Sequence, residues 1–312
     1  MSIAVVAPEQ QRALVLPALR CAAAGHHVTV ADAPTDALGD PLLFVVVDQG
    51  DAATALQILK DAGSKARVLI IADQVEPALV RLAITHPRVV GVATSITGAP
   101  EPWETTYVTR RVLSPAEATP TASQFMTWGV TNVAWTPKST ADLRRIVKQI
   151  EDISRNLGAD RRESQVVASA AHELLMNAVY DAPVNDAGQP LFAFDRQAEV
   201  ALTERQRPTF RLAVGPSYIG LDATDPFGRL PRTRFFEGVL RGVSRTDGAS
   251  VDTSHGGAGL GLFTLFQNGS VLRAEVHPLR VTHVSWMVRR GLAHRGRDTD
   301  RSLYFVTPPE GT

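Results

Sequence analysis

The sequence predicts two domains of different fold class, an α/β domain followed by an α+β domain. The chain has 312 residues, a length typical of two domains at about 100 to 200 residues each. Short aliphatic runs alternate with helical stretches over residues 1–100, which is typical of a parallel sheet covered by helices. Later residues form long amphipathic helices and alternating strands, which favour helices packed on an antiparallel sheet.

Five short apolar runs define the first domain, at residues 3–6, 27–30, 42–47, 68–71 and 89–92. Each run is too short for a buried helix, and helical periodicity fills the intervals at 10–22, 51–62 and 76–85. Continuous apolar strands separated by helices predict a flavodoxin-like, doubly wound parallel sheet.

Residues 101–137 break this pattern and predict a linker with local structure. Prolines that would interrupt a helix recur at Pro102, Pro115, Pro120 and Pro137, with Pro100 just before the range. Residues 131–136 are a candidate edge strand of the domain that follows. The predicted organisation is therefore a first domain at 1–100, a linker at 101–137 and a second domain at 138–312.

Two helices open the second domain. The first begins at Ser139 and ends at Gly158, and the second begins at Asp160, carries Glu163 in the capping-box position and ends before Pro183. Strands are predicted near residues 199–203, 209–214, 217–222, 271–277 and 281–288. Helices on this mainly antiparallel sheet make an α+β sandwich.

The second helix carries polar residues where a core helix favours apolar ones. At about 100° per residue, Glu173, Asn177 and Asp181 fall on or beside the apolar arc. An unpaired buried carboxylate or amide costs on the order of a few kcal/mol. These residues therefore belong either to a satisfied core network or to the wall of a polar pocket, and the pattern alone favours neither.

Two glycine motifs follow the helix. Gly257, Gly259 and Gly261 precede an apolar helix, where exposed amides and the helix dipole suit phosphate, although a flexible surface loop fits equally well. In the stretch Asp225-Pro-Phe-Gly228, the aspartate at a strand end can accept a hydrogen bond from a base amine, and the glycine allows close approach of the backbone. Taken alone, this second stretch is better explained as a turn.

Taken together and in order, these motifs resemble the GHKL ATPase superfamily, which includes histidine-kinase catalytic domains and anti-sigma-factor serine kinases. Residues 172–177, His-Glu-Leu-Leu-Met-Asn, are similar to the asparagine box of that family. Residues 225–228 are similar to its first glycine box and residues 257–262 to its second. The resemblance covers about 135–290 and is closer to the anti-sigma kinases. It implies a Bergerat-type sandwich that binds ATP or ADP with Mg²⁺.

The resemblance also implies roles for individual residues. Glu173 would act as a base or orient the nucleophile, and Asn177 would be the metal ligand that holds Mg²⁺ against the phosphates. The other implied nucleotide-binding residues are Asp181, Asp225, Gly228, Gly257, Gly259, Gly261 and Thr282, with Asp225 on the adenine amine and the last three glycines on the phosphates. The connector at 229–256 would be the ATP lid. The sequence departs from the family at Phe227 and Arg229, where glycine is usual.

The first domain resembles a response-regulator receiver. Asp48 stands at the phosphoacceptor position, after the third strand. The acidic pair after the first strand is reduced to Pro8-Glu9, Ala72 replaces the usual hydroxyl, and no lysine follows the fifth strand. Without those groups phosphotransfer to Asp48 lacks electrostatic support. The resemblance therefore implies a pseudo-receiver that acts as an interaction module.

Composition narrows the range of functions. The 32 Lys and Arg balance 32 Asp and Glu, which gives no global attraction to nucleic acid or an anionic membrane. The longest purely aliphatic and aromatic run, 42–47, is far short of the roughly 18 residues that span a bilayer. Cys21 is the single cysteine, and the histidines lack zinc-ligand spacing. With no basic residue before the first apolar run, a secretory signal is not expected.

We therefore expect a cytoplasmic signalling protein with no membrane span and no direct nucleic-acid binding. It would bind Mg-ATP and phosphorylate or regulate another signalling protein, and a homodimer is left open. The alternative is a non-catalytic nucleotide sensor or interaction scaffold in which both domains are degenerate. Arginines near 232–241 form the polar side of a helix in the connector, favoured as a solvated face over a phosphate contact.

Overall fold

The computed structural model describes residues 2–31, 41–47, 52–63, 65–94, 100–126, 128–244, 260–291 and 301–308. The chain is mixed α/β and forms two compact units. Unit 1 combines Met1–Ala118, Arg232–Gly248 and Asp300–Thr312, and unit 2 combines Thr119–Pro231 and Ala249–Thr299. The units differ from the predicted domains because two later segments of the chain fold with the first.

The helices and strands follow one another as expected for such a mixed chain. In chain order they are β1 (Ser2–Val6), α1 (Glu9–Ala23), β2 (His27–Ala31), β3 (Leu43–Val47), α2 (Ala53–Asp61), β4 (Arg67–Ala72), α3 (Pro77–Thr85), β5 (Val89–Thr94), α4 (Pro102–Leu113), β6 (Thr131–Trp135), α5 (Ala141–Asn156), α6 (Arg161–Met176), β7 (Thr209–Val214), β8 (Tyr218–Asp225), α7 (Arg232–Val243), α8 (Leu260–Asn268), β9 (Val271–His277), β10 (Val281–Arg289) and β11 (Ser302–Val306). A π-helical turn, Asn177–Asp181, continues α6.

The sheet of unit 1 contains the five predicted strands. They are parallel, in the order β2-β1-β3-β4-β5, and their side chains are buried on β1, β3, β4 and β5. The three predicted helices are present as α1, α2 and α3. The sequence did not predict β11, which pairs antiparallel with β5 through Leu303 and Tyr304.

The prediction that residues 101–137 contain no regular helix is wrong, because α4 lies there. Pro102 occupies its first turn, where the N–H that proline lacks has no partner within a helix, and Pro115 comes after its end. The prolines bound this helix instead of interrupting it. α4 packs against α1 within unit 1.

Unit 2 is built on an antiparallel sheet in the order β9-β10-β8-β7-β6. Within the described ranges β6 pairs with β7 alone, as the edge-strand prediction required. α5 and α6 pack against each other. The predicted capping box begins α6, since Asp160 Oδ1 accepts from the Glu163 N–H at 2.8 Å and Glu163 Oε2 accepts from the Asp160 N–H at 3.3 Å.

The strand predicted at 199–203 is not formed. Ala201 makes only an isolated bridge with Ser139. The segment is held instead along the start of α5, where Val200 C=O accepts from the Thr140 N–H at 3.0 Å and the Leu202 N–H donates to Lys138 C=O at 2.8 Å. The apolar and polar residues of this segment alternate as in a strand, but the segment packs beside the start of a helix. Local periodicity does not distinguish these two arrangements.

None of the helices within the described ranges combines the length and the apolar composition needed to cross a membrane.

Candidate functional site

Asp225 lies at the carboxyl end of β8 and is buried. Its Oδ1 accepts a hydrogen bond from the Phe227 N–H at 3.0 Å, and Thr282 on β10 stands directly opposite it in the sheet. Burial raises the pKa of Asp225 to about 6, against the opposing effect of the Phe227 and Gly228 amides and of the nearby Thr282 hydroxyl. At neutral pH the group is mainly a carboxylate and can accept a hydrogen bond.

Gly228 has φ +63° and packs tightly on the turn between β9 and β10. A Cβ at this position would lie 2.1 Å from His277 O and 2.6 Å from Arg280 N. The Leu279 N–H donates to Gly228 C=O at 3.2 Å. The close backbone approach predicted for Gly228 is therefore made to the protein's own hairpin, in agreement with the turn interpretation of this stretch.

The asparagine-box helix and the third motif meet in unit 2. A Cβ on Gly261, at the start of α8, would lie 2.3 Å from Glu173 Oε2 on α6. The carboxylate of Glu173 thus rests on the Gly261 backbone. His172, the preceding residue, is exposed, as the sequence predicts for the helix surface.

Glu173 and Asn177 are partly buried, and no hydrogen bond or ion pair joins either side chain to another residue that the structure describes. Asp181 differs, because it forms an ion pair with Arg196 in which both side chains are largely buried. The two alternatives for these polar residues therefore divide. Asp181 is held in an ion pair through its Oδ2, whereas the side-chain oxygens of Glu173 and Asn177 have no such partner among the described residues.

The elements that carry these side chains are neighbours within unit 2. α6 packs against both α8 and β8, and the π-helical turn that begins at Asn177 also contacts β8. The fold thus brings the helix of Glu173 next to the strand of Asp225 and the helix start at Gly261. Gly257, Gly259 and Asp48 lie outside the described residues.

The donor set suits a hard cation held jointly with a ligand. Carboxylate and amide oxygens, as on Glu173 and Asn177, are donors that Mg²⁺ accepts. In the described ranges there is no group of three His, Cys, Asp or Glu side chains placed to hold a metal. Magnesium usually keeps several waters and is bound by one or two protein groups together with phosphate oxygens. Glu173 and Asn177 therefore fit Mg²⁺ held jointly with an anionic ligand, and the described residues do not form a complete protein cage.

No family model matches the chain, and no curated protein matches it significantly. The functional assignment therefore rests on the residues themselves.

Both predicted roles of the connector arginines are wrong for Arg232. Its Nε donates to Ala83 C=O at 2.8 Å, and another guanidinium nitrogen donates to Val89 C=O. Arg232 is therefore bound by backbone carbonyls inside unit 1 and is neither a solvated surface residue nor a phosphate contact. Arg241, at the other end of α7, is exposed as predicted.

A second polar cluster in unit 2 was missed by the sequence analysis. Asp222 accepts hydrogen bonds from the Ala122 N–H and the Ser285 hydroxyl and lies 3.7 Å from the guanidinium of Arg273. Burial raises the pKa of Asp222, and Arg273 opposes this. The alternating polar residues of β9 were the available signal. They face one side of the sheet, where residues 119–125 contact them.

Proposed function

We propose that this protein binds Mg-ATP or Mg-ADP through a GHKL-like site in unit 2 and acts as a cytoplasmic signalling protein that phosphorylates or regulates a partner protein. The observation that carries this proposal is the contact of the Glu173 carboxylate with the Gly261 backbone. It joins the two most specific motifs of the resemblance, which are distant in sequence. A chance occurrence of both motifs gives no reason for them to touch.

The folds of the two units support the same proposal. The strand order β2-β1-β3-β4-β5 in unit 1 is that of flavodoxin-like domains, to which receivers belong. In unit 2, α5 and α6 accompany an antiparallel sheet, as in a Bergerat-type sandwich. The poor phosphoacceptor surroundings favour unit 1 as an interaction module for the partner.

Each site residue has a role that its surroundings support. Asn177 and Glu173 would supply oxygens to Mg²⁺, and Glu173 would also orient the hydroxyl of the phosphate acceptor. Asp225 would accept a hydrogen bond from the amine of the base, with Thr282 beside it on the adjacent strand. A Mg²⁺ ion held by these residues would supply positive charge against the phosphate oxygens.

Calorimetric titration with ATP and ADP, each with and without Mg²⁺, tests the site. We expect magnesium-dependent binding in the wild type and a loss of about tenfold or more in Asn177→Ala, because a metal ligand is removed. His172→Ala is the matched control, since His172 is exposed on the same helix. Equal affinities in the wild type and Asn177→Ala would show that the site is assigned wrongly.

A second candidate function is a nucleotide sensor or scaffold without catalysis. Phe227 and Arg229, which stand where the family has glycine, favour it. The Arg229 guanidinium packs on Gly188, where a Cβ would lie 2.5 Å from its Nη1. Steady-state ATP hydrolysis, or transfer to a serine-containing partner protein, that is abolished by Glu173→Ala would reject this candidate. Tight binding without either reaction would favour it.

A further inference from the structure

The helix α7 lies in the sequence between two motifs of the proposed nucleotide site but folds with the other unit. The chain leaves unit 2 after Pro231 and contributes α7 to unit 1, and α8 is again part of unit 2. Within unit 1, α7 packs against α3. A segment that the family resemblance assigns to the ATP-binding domain is therefore held by the receiver-like unit.

Arg232 fixes the first turn of α7 to unit 1. Its guanidinium donates to the carbonyls of Ala83 at 2.8 Å and Phe305 at 3.4 Å, and also to Val89 C=O. The same group lies 4.7 Å from the centre of the Phe236 ring, a cation–π distance. A charged group held by three backbone carbonyls makes a specific anchor, because its loss would leave several acceptors without a donor.

Aromatic packing adds to this anchor. The side chains of Phe235 and Phe236 are fully buried. The ring centre of Phe235 lies 5.4 Å from that of Phe305 on β11, and the ring centre of Phe236 lies 6.1 Å from the same point. The inner face of α7 is thus integrated into the core of unit 1.

A second anchor lies just before the helix, in unit 2. Gly228 is packed on the turn between β9 and β10, and the Phe227 amide is bonded to Asp225. Residues 229–231 alone connect this turn to Arg232. Because each residue spans at most about 3.6 Å, so short a connection cannot absorb a large displacement of either anchor. A displacement of α7 beyond the reach of these three residues, about 11 Å, is therefore transmitted to the Asp225–Gly228 turn.

We infer that unit 1 regulates the nucleotide site through α7: the docking of α7 on unit 1 holds the Asp225–Gly228 turn in its binding geometry. The nucleotide part of this inference rests on the proposed function, but the coupling of α7 to the turn does not. A partner that binds unit 1 and displaces α7 lowers nucleotide affinity. By linkage, a bound nucleotide stabilises α7 on unit 1 to the same extent.

Hydrogen exchange followed by mass spectrometry, with the full chain, tests the coupling without nucleotide. Arg232→Met keeps an apolar stem and removes the guanidinium. We expect faster exchange in α7 and, in the same variant, about fivefold faster exchange at the Phe227 amide and in the hairpin that packs on Gly228. Arg241→Met is the matched control, because Arg241 is exposed and, among the described residues, its side chain bonds to Glu237 C=O of its own helix.

Two results of this first experiment would overturn the inference. One is faster exchange in α7 with wild-type exchange in the turn, which would separate the two anchors. The other is wild-type exchange in α7 itself, which would mean that Arg232 does not hold the helix. If Arg232→Met does not fold, Arg232→Lys keeps the charge but cannot serve three carbonyls, and the same criteria apply.

A second experiment tests the nucleotide part of the inference and begins with the wild-type protein. We expect saturating Mg-ADP to slow exchange in α7, and we expect the ADP affinity of Arg232→Met to be about fivefold weaker than that of Arg241→Met. Nucleotide binding that leaves α7 exchange unchanged would overturn the inference while leaving the proposed function intact. If no nucleotide binds, the proposed function fails, and the exchange of the turn in Arg232→Met decides the coupling alone.

Discussion

Glu104 is a buried carboxyl group whose ionisation should control the pH dependence of unit 1 stability. It lies on α4, and its Oε2 accepts a hydrogen bond from the Tyr304 hydroxyl of β11 at 2.6 Å. Burial raises the pKa of Glu104 to about 7, while hydrogen bonds from Ser302 and Tyr304 lower it and the charge of Glu101 raises it. No lysine or arginine is among the groups that act on its pKa.

The sign and size of the effect follow from this pKa. Between pH 4.5 and about 7 the folded state keeps a proton that the unfolded state has lost, so the free energy of unfolding falls as the pH rises. Since one pH unit corresponds to about 1.4 kcal/mol, the fall approaches about 3 kcal/mol and then levels off above pH 7. Glu104→Gln keeps the shape and an acceptor for Tyr304 but cannot ionise. It should therefore remove this slope and be more stable than the wild type at pH 8.

Urea unfolding at pH 5 and pH 8 gives the measurement, with hydrogen exchange of peptides from β5 and β11 to report on unit 1. Glu76→Gln is the control, because Glu76 is an exposed carboxylate of the same unit. Wild-type protein and Glu76→Gln should lose stability over this range in parallel, and Glu104→Gln should not. If Glu104→Gln followed the wild-type profile, the assignment of the slope to this carboxyl group would be refuted.

Two glycine substitutions test close contacts in unit 2. Gly228→Ala should destabilise the protein in two ways. The positive φ strains an alanine by about 1 to 2 kcal/mol, and the new methyl group clashes with His277 O at a further cost of about 1 to 3 kcal/mol. Gly129→Ala has φ +84° and open space around its Cβ, so urea unfolding should show the strain alone. Gly261→Ala would place a methyl group on the Glu173 carboxylate, so it should weaken ATP binding in calorimetry without loss of helix content by circular dichroism.

Local patterns in the sequence predicted most of the individual elements. The five strands of unit 1 were found because a buried parallel strand is a continuous apolar run. The start of α6 was found because a capping box is a local signal, which Asp160 and Glu163 form as predicted. What the patterns did not reveal is which unit an element joins. α7 and β11 bury their apolar side chains in unit 1, although the rest of that unit lies more than a hundred residues earlier in the sequence. Periodicity shows that an element has an apolar face but not which other elements cover it.

The polar residues of α6 illustrate a subtler limit. Their prediction assumed about 100° per residue throughout, but the helix changes to a π-helical turn at Asn177, where the Ala182 N–H donates to Asn177 C=O at 3.0 Å. The wider turn rotates every later residue away from the α-helical arc, so Asp181 leaves the face of Glu173 and pairs with Arg196. Glu173 lies one turn before the change and Asn177 begins it, so these two residues keep their predicted spacing. Single π-helical turns are rare, occur mostly within α-helices and are frequently found at functional sites. The change in the helix thus separates the one residue of the three that forms an ion pair from the two whose side-chain oxygens have no partner among the described residues.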